Sequence, residues 1–238
     1  MTQVFPYTSA QDRRRKLGLV ALQSDESIED DMRRLLPADV SFLVSRVPSG
    51  EDVTPESLRA MEVHLTGAAA LFPRGLRFDA VGYGCTSGAS QIGTARVAQL
   101  VGEGTETARV TDPVSALVAA CRAAGITRLA ILSPYVASVS DHLREVLRAH
   151  GIDTPVFGTF AEPNEAKVVS IDGPSIMAAA TSMMEGAEVD GLFLSCTNLR
   201  TLDVIAPLEA GLALPVLSSN LVLAWHMLGG QGAPRDLL

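Results

Sequence analysis

Short runs of Val, Leu and Ile alternate along the chain with longer stretches in which apolar residues return every three or four positions. Continuous apolar runs fit strands buried on both faces, and the longer stretches fit helices with one apolar stripe. The runs fall at 17–22, 40–45, 80–84, 108–111, 129–133, 154–159, 191–195 and 215–217. Helical stretches lie between them, among them 27–36, 55–71, 93–101, 113–124, 139–150, 174–185 and 199–210. This alternation predicts an α/β fold with parallel, doubly wound sheets of Rossmann or flavodoxin-like form.

The pattern also repeats. Leu17-Gly18-Leu19-Val20 corresponds to Leu129-Ala130-Ile131-Leu132, and the nine residues from Phe78 to Thr86 correspond to those from Val189 to Thr197. The two offsets are 112 and 111 residues, and both copies carry an Asp six positions before Cys-Thr. A duplicated chain predicts two pseudo-symmetric subdomains with a site in the cleft between them. The expected division is 1–112, completed by 215–238, and 113–214. Asp79 and Asp190 precede strands, so they mark the duplication from the end of the sheet opposite the ligand side.

Composition narrows the function. The 238 residues are 47% hydrophobic, enough for a substantial core, and carry a net charge of −8. An acidic chain argues against nucleic acid as a partner. The one basic run, Arg13-Arg14-Arg15-Lys16, reads as a solvated approach to the first strand. No apolar stretch is long enough for a membrane span, and residues 1–10 lack the form of a secretion signal, so a cytoplasmic location is expected. Apolar helical segments such as 114–121 make a homo-oligomer plausible. The three cysteines include no Cys-x-x-Cys pair, which disfavours a disulfide framework and a zinc site. The four histidines are dispersed without ligand spacing, so no metal is expected. No phosphate-binding glycine loop or nucleophile elbow of the required form is present.

The candidate chemistry lies at the two Cys-Thr pairs. Ligands of open parallel sheets bind beyond the carboxyl ends of the strands, where Cys85 and Cys196 fall in matching positions. Two thiols facing one another can remove a proton from one face of a substrate and return it to the other. They can also add to an activated double bond and release it after rotation. Thr86, Ser87, Thr197 and Asn198 are candidates for stabilising the developing negative charge. Gly82, Gly84 and Gly88 allow close backbone approach. Cys121 sits in a helical run and reads as packing.

The segments Val81-Gly82-Tyr83-Gly84-Cys85-Thr86-Ser87-Gly88 and Leu194-Ser195-Cys196-Thr197-Asn198-Leu199-Arg200 resemble the aspartate/glutamate racemase superfamily. The branch is that of maleate cis-trans isomerase and arylmalonate decarboxylase, and the ectoine-utilisation protein A group looks most similar. The resemblance runs from Leu17 to about Leu228 and implies a cofactor-independent isomerase or racemase acting on a small carboxylate. It places a nucleophilic or basic cysteine at Cys85, a proton-donating one at Cys196, and substrate-binding residues at Tyr135 and Asn164. The sequence departs from maleate isomerase in the first loop, where Gln23-Ser24-Asp25 stands in place of Ser-Ser-Asn. Asp25 would repel a carboxylate and accept an ammonium or amidinium, which implies an amino acid or an ectoine-like cyclic amidine. Alternatively, Asp25 only caps the helix that follows. Arylmalonate decarboxylase has one catalytic cysteine and a glycine in the other place, so two thiols count against simple decarboxylation. A lyase with Cys196 as donor and Cys85 as a positioning group stays open, as does a two-lobed binding or thiol redox protein.

Overall fold

Strands buried on both faces need apolar residues at every position, and the central strands supply them, while the edge strands Val40–Val47 and Phe157–Thr159 are only partly buried. The computed structural model describes residues 2–238. β1 (Arg15–Leu22), β2 (Val40–Val47), β3 (Ala80–Gly84) and β4 (Val110–Thr111) form one parallel sheet in the order β2-β1-β3-β4. β5 (Leu129–Ser133), β6 (Phe157–Thr159), β7 (Gly191–Leu194) and β8 (Val216–Ser218) form the other in the equivalent order β6-β5-β7-β8. The repeat extends to register, with Leu17 opposite Ala80 in one sheet and Leu129 opposite Gly191 in the other. Asp79 and Asp190 do the same work in each copy. The carboxylate of Asp79 accepts the Lys16 backbone N–H at 2.8 Å, and that of Asp190 accepts the Arg128 N–H at 2.8 Å. Each fixes the start of the neighbouring strand.

The helices are α1 (Ile28–Leu35), α2 (Pro55–Ala60), α3 (Leu65–Ala69), α4 (Thr86–Ile92), α5 (Thr94–Gly104), α6 (Pro113–Ala124), α7 (Ala137–Ala149), α8 (Glu165–Val168), α9 (Gly173–Met183), α10 (Leu202–Leu212) and α11 (Ser219–Met227). The expected single helix over 55–71 is instead α2, a 3₁₀ turn at Met61–His64 and α3. The tighter winding turns α3 onto α5 while Leu58, Met61 and Leu65 all stay buried. Helix α4 has no apolar period in its sequence, yet residues 86–90 are all buried. It lies against α6 and α7.

β8 hydrogen-bonds to β7, so the second sheet extends past residue 214. Helix α11 then crosses to pack against β3 and α1 of the first lobe and against α6. Two arginines hold its far end: Arg15 donates to the carbonyls of Met227 and Leu228, and Arg109 to that of His226 at 2.6 Å. Cations at a helix C-terminus meet its partial negative charge. His226 is occupied there, its Nδ1 2.6 Å from the Thr111 hydroxyl. Cys121 is fully buried in α6, as its helical setting implied. No helix is long and apolar enough to cross a membrane, and no metal-ligating cluster occurs among the described residues.

Candidate active site

Both sheets reverse their strand order beside the central strand, at β1/β3 and at β5/β7, and the loops that follow these strands meet. Cys85 ends β3 in extended conformation, with φ −153°, and its Sγ accepts the Gly88 N–H at 3.1 Å. A side chain at Gly88 would collide with this thiol and with the Tyr83 hydroxyl, at 2.9 and 2.5 Å from a Cβ, so the position requires glycine. Burial pushes the Cys85 thiol up to about 12, with the negative charges of Glu165 and Asp25 adding to it.

Cys196 ends β7 differently. Its φ is +107°, a value that favours glycine and is strained for any other residue. The Sγ lies 2.9 Å from the Tyr135 hydroxyl and accepts the Asn198 N–H at 3.3 Å. The backbone N–H donates to Ser219 Oγ at 3.0 Å, and Ser219 shares a 2.7 Å hydrogen bond with Thr86 of the other lobe. Burial, followed by the Glu165 charge, drives this thiol well above its ordinary value.

Glu165 joins these groups. Tyr135 donates to its Oε1 at 2.8 Å and Asn198 Nδ2 to its Oε2 at 2.9 Å. Burial raises its carboxyl despite both donors. Asp25 is 3% exposed; its Oδ1 accepts the N–H groups of Ser27 and Ile28 at 2.9 and 2.8 Å, while Oδ2 is buried with no hydrogen-bond partner. Burial is also the main cause of its raised pKa, opposed first by the Ile28 and Ser27 N–H groups and the Thr197 side chain, and least by the charge of Arg46, whose guanidinium donates to the Asp25 carbonyl at 2.8 Å.

Cys85, Thr86, Ser87, Tyr135, Glu165, Cys196, Thr197 and Asn198 line one cavity, with Leu22 and Leu58 as its apolar wall. The space is only about 10 Å³, room for about one water. A strap joins residues 51–53 to the loop that carries Glu165: Val53 N–H donates to the Pro163 carbonyl at 2.8 Å, and Glu165 N–H to the Glu51 carbonyl at 3.1 Å.

The fold thus brings together Cys85, Thr86, Ser87, Tyr135, Cys196, Thr197 and Asn198 from the sequence reading. Asp25 sits beside them, close enough for its charge to act on both thiols, while it also caps α1. Asn164 is not in the cavity wall. It caps α8 through the Lys167 N–H at 3.3 Å and reaches Asp52 across the strap, so its neighbour Glu165 takes the inward place. Sequence reasoning missed Glu165 because Ala161-Glu162-Pro163-Asn164-Glu165 has the polarity of a solvent-facing turn. Its one signal is position, in the loop beyond the carboxyl end of β6. Ser218 and Asp112 cap α11 and α6.

Residues 66–236 match the family model described as Arylmalonate decarboxylase. A maleate isomerase of Nocardia farcinica is 28% identical over 232 residues, covering 92% of this chain and 91% of the relative. An arylmalonate decarboxylase of Bordetella bronchiseptica is 25% identical over 236 residues, covering 91% of each. Among solved structures, a cysteine-to-serine variant of Nocardia farcinica maleate cis-trans isomerase with a covalently bound succinylcysteine intermediate gives a TM-score of 0.77. It is 26% identical, with 90% of this chain and 91% of that one covered.

Proposed function

The chain belongs to the arylmalonate decarboxylase family, with maleate isomerases among its relatives, and from that premise we propose that it is a two-cysteine isomerase or racemase. Its substrate is a small carboxylate that also carries nitrogen. The observation that carries this reading is the meeting of Cys85 and Cys196, from matching strand ends, in one cavity.

Two routes suit that pair. In the first, one thiolate takes the proton α to a carboxylate and the other thiol returns a proton to the opposite face. In the second, a thiolate adds to a double bond, the C–C bond rotates, and elimination restores the thiolate. The succinylcysteine in the Nocardia relative is an adduct of the second kind. Both routes balance without a cofactor. The hydroxyls of Thr86, Ser87 and Thr197 and the amide of Asn198 are the groups available to stabilise an enolate.

The nitrogen follows from charge. The cavity wall contains no Lys, Arg or His, and the carboxylates of Asp25 and Glu165 lie in or beside it. A dianion such as maleate would be repelled there, whereas an ammonium or amidinium would offset the unpartnered Asp25 Oδ2. This acidity supports the finer placement beside the ectoine-utilisation protein A group. Decarboxylation is the second reading, favoured by the family match itself.

Incubation in D₂O with amino acids, cyclic amidines, maleate and arylmalonates, followed by NMR, tests the proposal. Deuterium at the α-carbon, or geometric isomerisation, of a nitrogen-bearing substrate is the expected result. Carbon dioxide release from an arylmalonate, with no exchange or isomerisation elsewhere, would establish the second reading instead.

A further inference from the structure

Burial and nearby negative charge leave both thiols hard to ionise, and the cavity wall offers no cation to help. A thiolate must nevertheless form for either route. The second lobe contains a base for this purpose. A phenol carries one proton, and Tyr135 donates its own to Glu165 at 2.8 Å. Its oxygen, 2.9 Å from Cys196 Sγ, is then left to accept the S–H. Both Glu165 oxygens are engaged by the chain's own donors, Tyr135 and Asn198, so Glu165 belongs to the built network.

We propose that Glu165 is the proton acceptor for Cys196, acting through the Tyr135 hydroxyl. The S–H bond breaks as its proton passes to the phenol oxygen, and the phenol proton passes to Glu165 Oε1. The products are a thiolate, a restored phenol and a neutral carboxylic acid, with one negative charge in the triad before and after. Reversal returns the proton, so Cys196 serves as base in one direction and acid in the other. Cys85 has no carboxylate bonded through a phenol; its Sγ accepts the Gly88 N–H, and the buried Tyr83 hydroxyl beside it contacts Met61 Sδ at 3.8 Å.

The charged and titratable groups facing the triad are Asp25 from the loop after β1 and Cys85 from the end of β3. Arg46 of β2 lies behind Asp25. Asp25 raises the proton affinity of Glu165 and Cys196 alike.

The relay rests on reading Cys196 as a reacting thiol, and its test needs no substrate. Iodoacetamide alkylation of the full chain is followed from pH 5 to 10 by mass spectrometry of the peptides containing Cys196 and Cys85. Cys85 opens to the same cavity and controls for access. In Glu165→Gln the alkylation rate of Cys196 itself at pH 7 should fall about tenfold, while that of Cys85, relieved of the Glu165 charge, should stay level or rise. Tyr135→Phe, which keeps the Glu165 charge, should give the same loss. A Glu165 that acted only by charge would have the opposite effect on the Cys196 rate, since its removal would ease thiolate formation at both cysteines. An unchanged or higher Cys196 rate in Glu165→Gln, or a wild-type Cys196 rate in Tyr135→Phe, overturns the relay. The isomerase reading stands or falls separately, on the D₂O incubation.

Discussion

The loops after β3 and β7 begin alike, with a strand end and Cys-Thr, and then part. Cys85 opens a helix at once: α4 starts at Thr86, the backbone stays extended, and the thiol caps the first turn. After Cys196 the chain runs without a helix to α10 at Leu202, with a positive φ at the cysteine and its thiol turned to a phenol from the preceding loop. Duplication therefore supplies two thiols in one cavity, and divergence of the loops gives them different partners. Each thiol meets a buried phenol, Tyr83 or Tyr135, but Cys85 is held by its own helix while the phenol of Cys196 is bonded to a carboxylate, Glu165. Identical residues at equivalent positions need not do equivalent chemistry.

The largest effect should come from removing either thiol. Cys85→Ser and Cys196→Ser should each lower turnover by at least about 10²-fold. The comparison sharpens if one variant still exchanges substrate hydrogen with D₂O while the other does not. Full activity in both would end the two-thiol reading.

Next is the brace on the Cys196 loop, which comes from the first lobe. Asn220 Nδ2 donates to Asp31 and to the Thr197 carbonyl, both at 2.8 Å, while Asn220 Oδ1 is buried without a partner. Burial raises Asp31 to about 6. Because the unfolded chain releases this proton first, its contribution to stability falls as pH rises from about 4 to 6, by up to about 3 kcal/mol. Asp31→Asn removes that penalty and offers a donor to Asn220 Oδ1. Its melting temperature should exceed that of wild type at pH 7, with the gap narrowing by pH 4. A lower melting temperature at pH 7 would show that the charge itself holds the loop.

Gly88→Ala strikes the Cys85 side alone. The clash with Tyr83 and Cys85 should cost about 1–3 kcal/mol and displace the thiol, measured by denaturant unfolding and turnover together. Wild-type values in both would mean that α4 gives way easily.

The smallest effect separates the two backbones. Glycine should be more stable than alanine at position 196 by about 1 kcal/mol because it relieves the positive φ. At position 85, which is extended, the order should reverse. The same order at both positions would refute a difference in strain.

Much of this protein was determined by sequence alone. The apolar runs marked all eight strands to within a few residues, since a strand covered on both faces must be apolar throughout. The spacing of Asp and Cys-Thr disclosed the duplication, and matching strand ends placed both cysteines on the ligand side. Local pattern could not disclose α4, whose Thr-Ser-Gly-Ala-Ser segment is buried among α2, α5, α6 and α7 rather than by an apolar stripe of its own. Nor could it distinguish Glu165 from Asn164, because which of two adjacent polar residues turns inward depends on the strap formed with residues 51–53. The cavity's charge, the strained backbone of Cys196 and its link to Tyr135 all arise between segments far apart in the chain. Tertiary structure alone decided them, because a buried carboxylate acquires its partners and its proton affinity from whatever the fold packs around it.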